Sequence, residues 1–178
     1  QDLSGMARDA RPMTHWDDIE HDPEDDATRT LATHARERIE AHGLALLATL
    51  RADGSPRVSG VEPLFADGEL WLGMMDGSRK AADLQRDPRL ALHGATIDKE
   101  VRDGDVKLSG RAVEVVESEV RARYLSAFEA ANGEVPPPGP FHLFRVDVTE
   151  VVSLRPAGDH LVIETWKEGR GVRRIERR

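Results

Sequence analysis

The sequence predicts a mainly β protein of the α+β class, an antiparallel β-barrel with two or three helices set between its strands. Three observations carry this reading. Short apolar runs recur between residues 44 and 166, each bounded by Gly, Asp, Asn or Pro. Two of the intervals are the tight turns "ADGS" (52–55) and "ADGE" (66–69), which return the chain antiparallel to itself. Several short antiparallel strands also leave exposed edges, and closure into a barrel removes them.

The elements follow in order. Residues 1–26 are polar and acidic and read as a flexible arm, with 27–178 as a single domain. His15, Asp17, Asp18 and His21 fall in this arm without a fixed ligand spacing, so they read as a solvated acidic run rather than a metal cluster. Asp26 or Thr28 caps a helix over 29–42 that Gly43 stops. "LALLATLR" (44–51) is a buried strand, "PRVSGVEPLF" (56–65) returns from it, and "ELWLGMM" (69–75) completes a meander. Pro63 argues for an edge or a bulge late in the second strand. A short helix covers 79–86, and "RLALHGAT" (89–96) is the fourth strand. After a charged loop, 105–117 is a long fifth strand with Gly110 as a bulge. Ser118 caps a helix over 119–131, with Val120, Tyr124, Leu125 and Phe128 on one face. The prolines of "NGEVPPPGP" make a loop, 141–155 and 160–166 are the last strands, and the tail is basic.

Composition excludes several function classes. Hydrophobic residues make up 39% of the 178 and charged residues 33%, as in ordinary globular domains. The net charge of −8 disfavours binding to nucleic acid or anionic membranes, because neutralising phosphates needs a basic face. With no cysteine, there is no disulfide, thiolate catalyst or Cys-ligated cluster. No run of 18 apolar residues occurs, nor a signal-type apolar segment, and a cytoplasmic location is expected. The sequence holds no GxSxG, HExxH, Walker or GxGxxG motif.

The stretch "WLGMMDGSRKAADLQRDPR" (71–89) concentrates the chemistry. A strand ends in the turn Asp76-Gly77, and Ser78, Arg79 and Lys80 open a helix. A helix N-terminus presents free N–H groups and a positive dipole end, and a hydroxyl and two cations beside it describe a phosphate seat. Arg57 on a neighbouring strand brings a third cation. Val58, Ser59, Gly60, Met74 and Met75 are then placed to contact a flat ring. The alternatives are plain ones: a solvated basic turn for Ser78-Arg79-Lys80, core packing for the two methionines, and a satisfied core histidine at His93.

Residues 44–94, with their DG turn, Pro-Arg strand, S-x-K and "DL-x-x-DPR", resemble the pyridoxamine 5′-phosphate oxidase-like flavoproteins, the FMN-binding split barrels. The resemblance runs over about 30–117 and more loosely to 166. It implies a six-stranded split barrel and a homodimer with FMN near the interface, its phosphate held by Arg57 and Lys80 beside Ser78 and Arg79. Trp166 and Arg170 stand where a tryptophan and an arginine cover the ring. Departures matter. Glu62 occupies the position of a lysine that holds the substrate phosphate in true pyridoxamine phosphate oxidases, the Arg-Pro-x-x-Ser stretch is missing, and Asp105 replaces a glutamine that meets the flavin. The resemblance thus implies an FMN-dependent oxidoreductase acting on a small molecule other than pyridoxamine phosphate. The alternatives are an F420 (deazaflavin)-dependent reductase and a non-catalytic flavin-binding or storage protein.

Overall fold

The computed structural model describes residues 12–136 and 138–178. Their element order is α1 (Trp16–Glu20), α2 (Asp26–Glu40), β1 (Ala45–Leu50), β2 (Pro56–Val61), β3 (Pro63–Ala66), β4 (Glu69–Met75), α3 (Arg79–Arg86), β5 (Arg89–Gly94), β6 (Asp105–Glu114), α4 (Ser118–Asn132), β7 (Phe141–Ala157), β8 (His160–Lys167) and β9 (Gly171–Arg177).

All the strand pairs are antiparallel and run in the order β2-β1-β5-β6-β7-β4-β3, with β8 on β7 and β9 on β8. The two ends of that path, β2 and β3, are consecutive in the chain, and only Glu62 separates them. The sheet therefore curls until its ends meet without pairing, which is a split barrel. Strand alternation decides what lies inside. Leu47, Leu70, Leu72, Leu92, Val106, Leu108, Val146 and Val148 fill the main core with Phe144. α4 covers the opposite face of β3, β4 and β7 and encloses a second cluster of Leu64, Trp71, Val115, Tyr124 and Leu143. This explains why "ELWLGMM" is apolar almost throughout: β4 is buried on both faces.

The turn chemistry matches the expectation. Asp67 and Gly68 both take positive φ (52° and 74°), as a two-residue hairpin of this hand requires. The β6–β7 register shifts between Ser109 and Gly110. A Cβ on Gly110 would lie 2.6 Å from the Asp147 carbonyl, so only glycine permits this approach.

Several boundaries differ from the sequence reading. The strand expected over 56–65 breaks at Glu62, because Pro63 cannot donate to a continuing ladder. Asp25, rather than Asp26 or Thr28, caps α2, its carboxylate accepting from the Ala27 N–H at 3.0 Å. Glu117, rather than Ser118, takes the N-cap position of α4. The strands over 89–96 and 105–117 stop at Gly94 and Glu114. The basic tail is a strand, β9, paired along its length with β8, and together with the break at Glu62 it raises the count among the described residues to nine.

The acidic segment also packs. Trp16 and Ile19, each 1% exposed, enter the main core from α1, and Trp16 meets Phe65 edge-on at 4.7 Å. Thr14 donates to Asp147 and Glu168, and His15 Nδ1 lies 2.6 Å from Glu69 Oε1. Glu20 pairs with Arg36 of α2 at 2.9 Å. The arm expected over 1–26 is thus anchored from Thr14 onward, and residues 1–11 of it lie outside the described residues.

Candidate functional site

α3 is short and packs against β1 and β6. Ala81 and Leu84 sink into the core, while Arg79, Ala82, Asp83 and Arg86 recur at the three- and four-residue spacing of one helical face. That face and the β1–β2 turn border an open groove of about 340 Å³ lined by Arg51, Ala52, Asp53, Arg57, Arg79, Ala82, Asp83 and Arg86. Four guanidiniums thus face two carboxylates, in a chain whose net charge is −8.

Asp83 organises the groove. The residue is 3% exposed, and its carboxylate accepts three donors. Arg57 Nε reaches Oδ2 at 2.6 Å, Thr49 Oγ1 reaches the same oxygen at 2.9 Å, and Arg86 Nη2 reaches Oδ1 at 3.1 Å. Burial pushes this carboxyl up, but the hydrogen bonds from Arg57, Thr49 and Arg86 outweigh it and hold it below its ordinary value. Arg57 is committed through Nε alone, so its two terminal nitrogens remain to form a planar fork.

The candidate residues separate into four groups. Arg57 and Arg79 share the groove. Ser78 takes the N-cap position of α3, its hydroxyl making no capping bond, and Gly77 before it has φ of 69°, as the expected turn requires. Lys80 does not line the groove: its ammonium donates to the Gly60 carbonyl. Burial lowers the Lys80 pKa, against the opposing pull of Glu62. The third group lies on β2. Ser59 shares the inner face with Arg57, and its Oγ is buried without a partner, while Val58 (66% exposed) and Gly60 face outward.

The fourth group is divided by strand alternation. Met74 is 4% exposed and belongs to the core, whereas Met75 is 83% exposed. Trp166 sits on the inner face between Val151 and Val172 and is also a core residue, so it leaves little surface for a ring. Asp83 and Arg86 line the groove, Thr49 supports Asp83 from behind it, and none of the three was singled out by sequence. The signal available was an aspartate inside the otherwise basic and apolar first turns of α3.

The outer face of β2-β1-β5 carries Leu44, Leu46 and Val58, all exposed. His93 of β5 stands in the same row as Leu46 and Gly60. Its Nδ1 lies 2.6 Å from the Gly94 carbonyl and its Nε2 3.1 Å from Asp105. Among the described residues no group of three His, Asp or Glu side chains is placed to hold a metal ion, and no helix is long and apolar enough to cross a membrane.

A family model described as pyridoxamine 5′-phosphate oxidase matches residues 31–155, which is more than half of the chain. The chain belongs to the pyridoxamine 5′-phosphate oxidase-like family. Solved structures of the family's fold include a pyridoxamine 5′-phosphate oxidase-related, FMN-binding protein of Nostoc punctiforme (TM-score 0.61, 15% identity, 87% of this chain and 98% of that one). PhzG of Burkholderia lata in complex with tetrahydrophenazine-1-carboxylic acid superposes with a TM-score of 0.56 at 16% identity, over 88% and 95% of the two chains. HutZ, the heme storage protein of Vibrio cholerae, does so with a TM-score of 0.55 at 20% identity, over 68% and 89%. No curated protein sequence matches the chain. At these identities the likeness establishes the fold, an open antiparallel split barrel with helices.

Proposed function

We propose that this protein binds the phosphate of a flavin at the first turn of α3 and is an FMN-dependent oxidoreductase of a small molecule other than pyridoxamine phosphate. The observation that carries the reading is the Arg57 guanidinium, fixed by buried Asp83 with its fork free, beside Arg79 in one basic groove. The residues present fit a flavin phosphate: charge-assisted donors from two arginines, free N–H groups at the N-terminus of α3, and an unpartnered Ser59 hydroxyl on the adjoining strand. When bound, FMN supplies the electron and hydride chemistry itself. The chain's own part is to bind and orient. Asp83 aligns Arg57, and Lys80 fixes the Gly60 carbonyl and so the path of β2. Glu62 is exposed beside Lys80 and repels a second phosphate there, which argues against a phosphorylated pyridoxamine substrate.

The exposed Leu44, Leu46 and Val58 support a homodimer with the cofactor near the interface. F420 in place of FMN uses the same phosphate donors. A second reading, a non-catalytic binder of a flat cofactor such as heme, is favoured by the His93 imidazole standing on that apolar face. The absorbance spectrum of the purified protein, read together with light scattering, separates these. Flavin bands from a particle of twice the chain mass agree with the first reading. A Soret band with no flavin affinity supports the second, and a monomer that binds neither overturns both.

A further inference from the structure

On the flank away from Asp83, α3 is fastened by a chain of polar side chains outside the groove. Gln85, near the end of α3, donates from Nε2 to both oxygens of Glu114 on β6, at 2.9 and 3.0 Å. Glu114 Oε1 lies 3.0 Å from His142 Nδ1 on β7. The other ring nitrogen, Nε2, lies 3.8 Å from Asp76 Oδ1, in the turn that leads into α3. The chain thus leaves one end of the helix and returns at the other. Phe144 stacks on the imidazole with ring centroids 6.4 Å apart, and the His142 side chain is 22% exposed. Among the described residues, Glu114 and Asp76 are the charged groups paired with this ring, and α3 turns the uncharged Gln85 amide toward it. Bracing α3 against β6 explains Gln85 and Glu114. It does not explain an imidazole with a carboxylate at each nitrogen. A neutral ring has one N–H, so if it serves Glu114 it turns a lone pair on Asp76, whereas a protonated ring donates to both. Asp76 is free to respond, being 65% exposed, and Gly77 beside it takes φ of 69° with no atom within 4 Å of where a Cβ would stand. Asp76 also lies two residues before the N-cap Ser78, where a carboxylate is drawn to the positive end of α3 and repels another anion.

We infer that His142 is a positioning residue for the phosphate seat: protonated, it engages Asp76, and neutral, it leaves that carboxylate to compete with a phosphate for the first turn of α3. The inference rests on the phosphate-seat reading and adds regulation to it. Affinity for a phosphate-bearing ligand follows the charge of His142, across the range in which imidazoles titrate.

The test is fluorescence titration of the full chain with FMN and riboflavin at about pH 5.5 and about pH 8.5, on the wild type, His142→Gln, Asp76→Asn and the double variant. A phosphate monoester changes its own ionisation over this range, so proteins are compared with one another at each pH. At the lower pH the wild type binds FMN about threefold more tightly than His142→Gln, as expected for one partly exposed ion pair, and at the higher pH the two agree. Asp76→Asn binds FMN about threefold more tightly than the wild type at the higher pH, and this gain shrinks at the lower one. In the Asp76→Asn background, His142→Gln changes FMN affinity at neither pH, because His142 acts through Asp76. Riboflavin affinity is the same in all four proteins. Asp76 is exposed, so Asp76→Asn retains the fold and its pH-dependent gain decides the question if His142→Gln does not fold. An effect of either substitution that is equal at the two pH values, or an effect of His142→Gln that persists without Asp76, overturns the inference; FMN still tighter than riboflavin then leaves the phosphate seat standing. FMN no tighter than riboflavin at either pH overturns the seat and the inference together.

Discussion

Asp83→Asn isolates the group on which the groove depends. The carboxylate receives donors on both oxygens: Arg57 and Thr49 on one, Arg86 on the other. An amide offers one acceptor, so whichever way it turns, its NH₂ faces at least one donor. The Arg57 side chain is 19% exposed and would keep its charge with no counterpart. Removing one member of a buried pair costs about 3–5 kcal/mol, and the lower end applies because Arg86 is largely open to solvent and screened. About 3 kcal/mol corresponds to a Tm lower by roughly 6–12 °C for a domain of this size. Thermal unfolding followed by circular dichroism at pH 7 reads this directly. The pH dependence gives a second check. The Asp83 pKa is depressed in the fold, so its stabilisation is complete above the ordinary carboxylate value and is lost as pH falls below that value and through the depressed one. The gap between wild type and variant therefore narrows as pH falls below the ordinary carboxylate value. Asp53→Asn, at the exposed rim of the same groove, changes Tm by no more than about 2 °C. An Asp83→Asn protein that melts with the wild type at pH 7 would refute the claim that this carboxylate organises the arginines.

Three other substitutions probe neighbouring features. Lys80→Met removes an ammonium whose pKa is lowered by burial. Its charge costs stability below the ordinary lysine value of 10.5, so the apo protein melts at the wild-type temperature or higher, and because the ammonium lies off the groove on the Gly60 carbonyl, FMN affinity stays within about threefold, measured by flavin fluorescence. His34 has its pKa lowered, first by burial and then by Arg155 and Arg38, so wild-type stability is full above about pH 6.5 and declines below it; His34→Gln flattens that slope in urea titrations at pH 7 and 5. Gly73→Ala places a Cβ 2.2 Å from the Tyr124 hydroxyl, so it destabilises by about 1–3 kcal/mol in denaturant unfolding, and Tyr124→Phe in the same chain returns part of the loss.

Local chemistry was legible in the sequence wherever a few adjacent residues decide it. The extent of α3 over 79–86, the hairpin at Asp67-Gly68 and the bulge at Gly110 follow from capping, positive φ and close approach, and they stand as expected. Elements that depend on distant partners were harder to read. β9 has too few apolar residues to declare itself, and it exists because β8 offers an edge and Val172 reaches the core. Trp16 and Ile19 carried a faint helical signal, three residues apart in an acidic run, but the pocket against Phe65 that receives Trp16 lies across the fold. The same division runs through the site. Arg57 and Arg79 were visible as phosphate-seeking cations, yet the bond from Arg57 to Asp83 requires α3 to pack on β1, where Thr49 completes it. Nor does spacing reveal that Lys80 turns away from Arg57 toward Gly60.

The most direct measurement is a titration of the wild type and Arg57→Ala with FMN and with riboflavin, which lacks the phosphate. A flavin phosphate seated on the Arg57 fork makes FMN the tighter ligand for the wild type. Arg57→Ala then weakens FMN by about ten- to a hundredfold, as expected for one lost charge-assisted contact, and leaves riboflavin unchanged. FMN and riboflavin binding equally well to the wild type, or losing affinity together in Arg57→Ala, would contradict a phosphate seat at the first turn of α3.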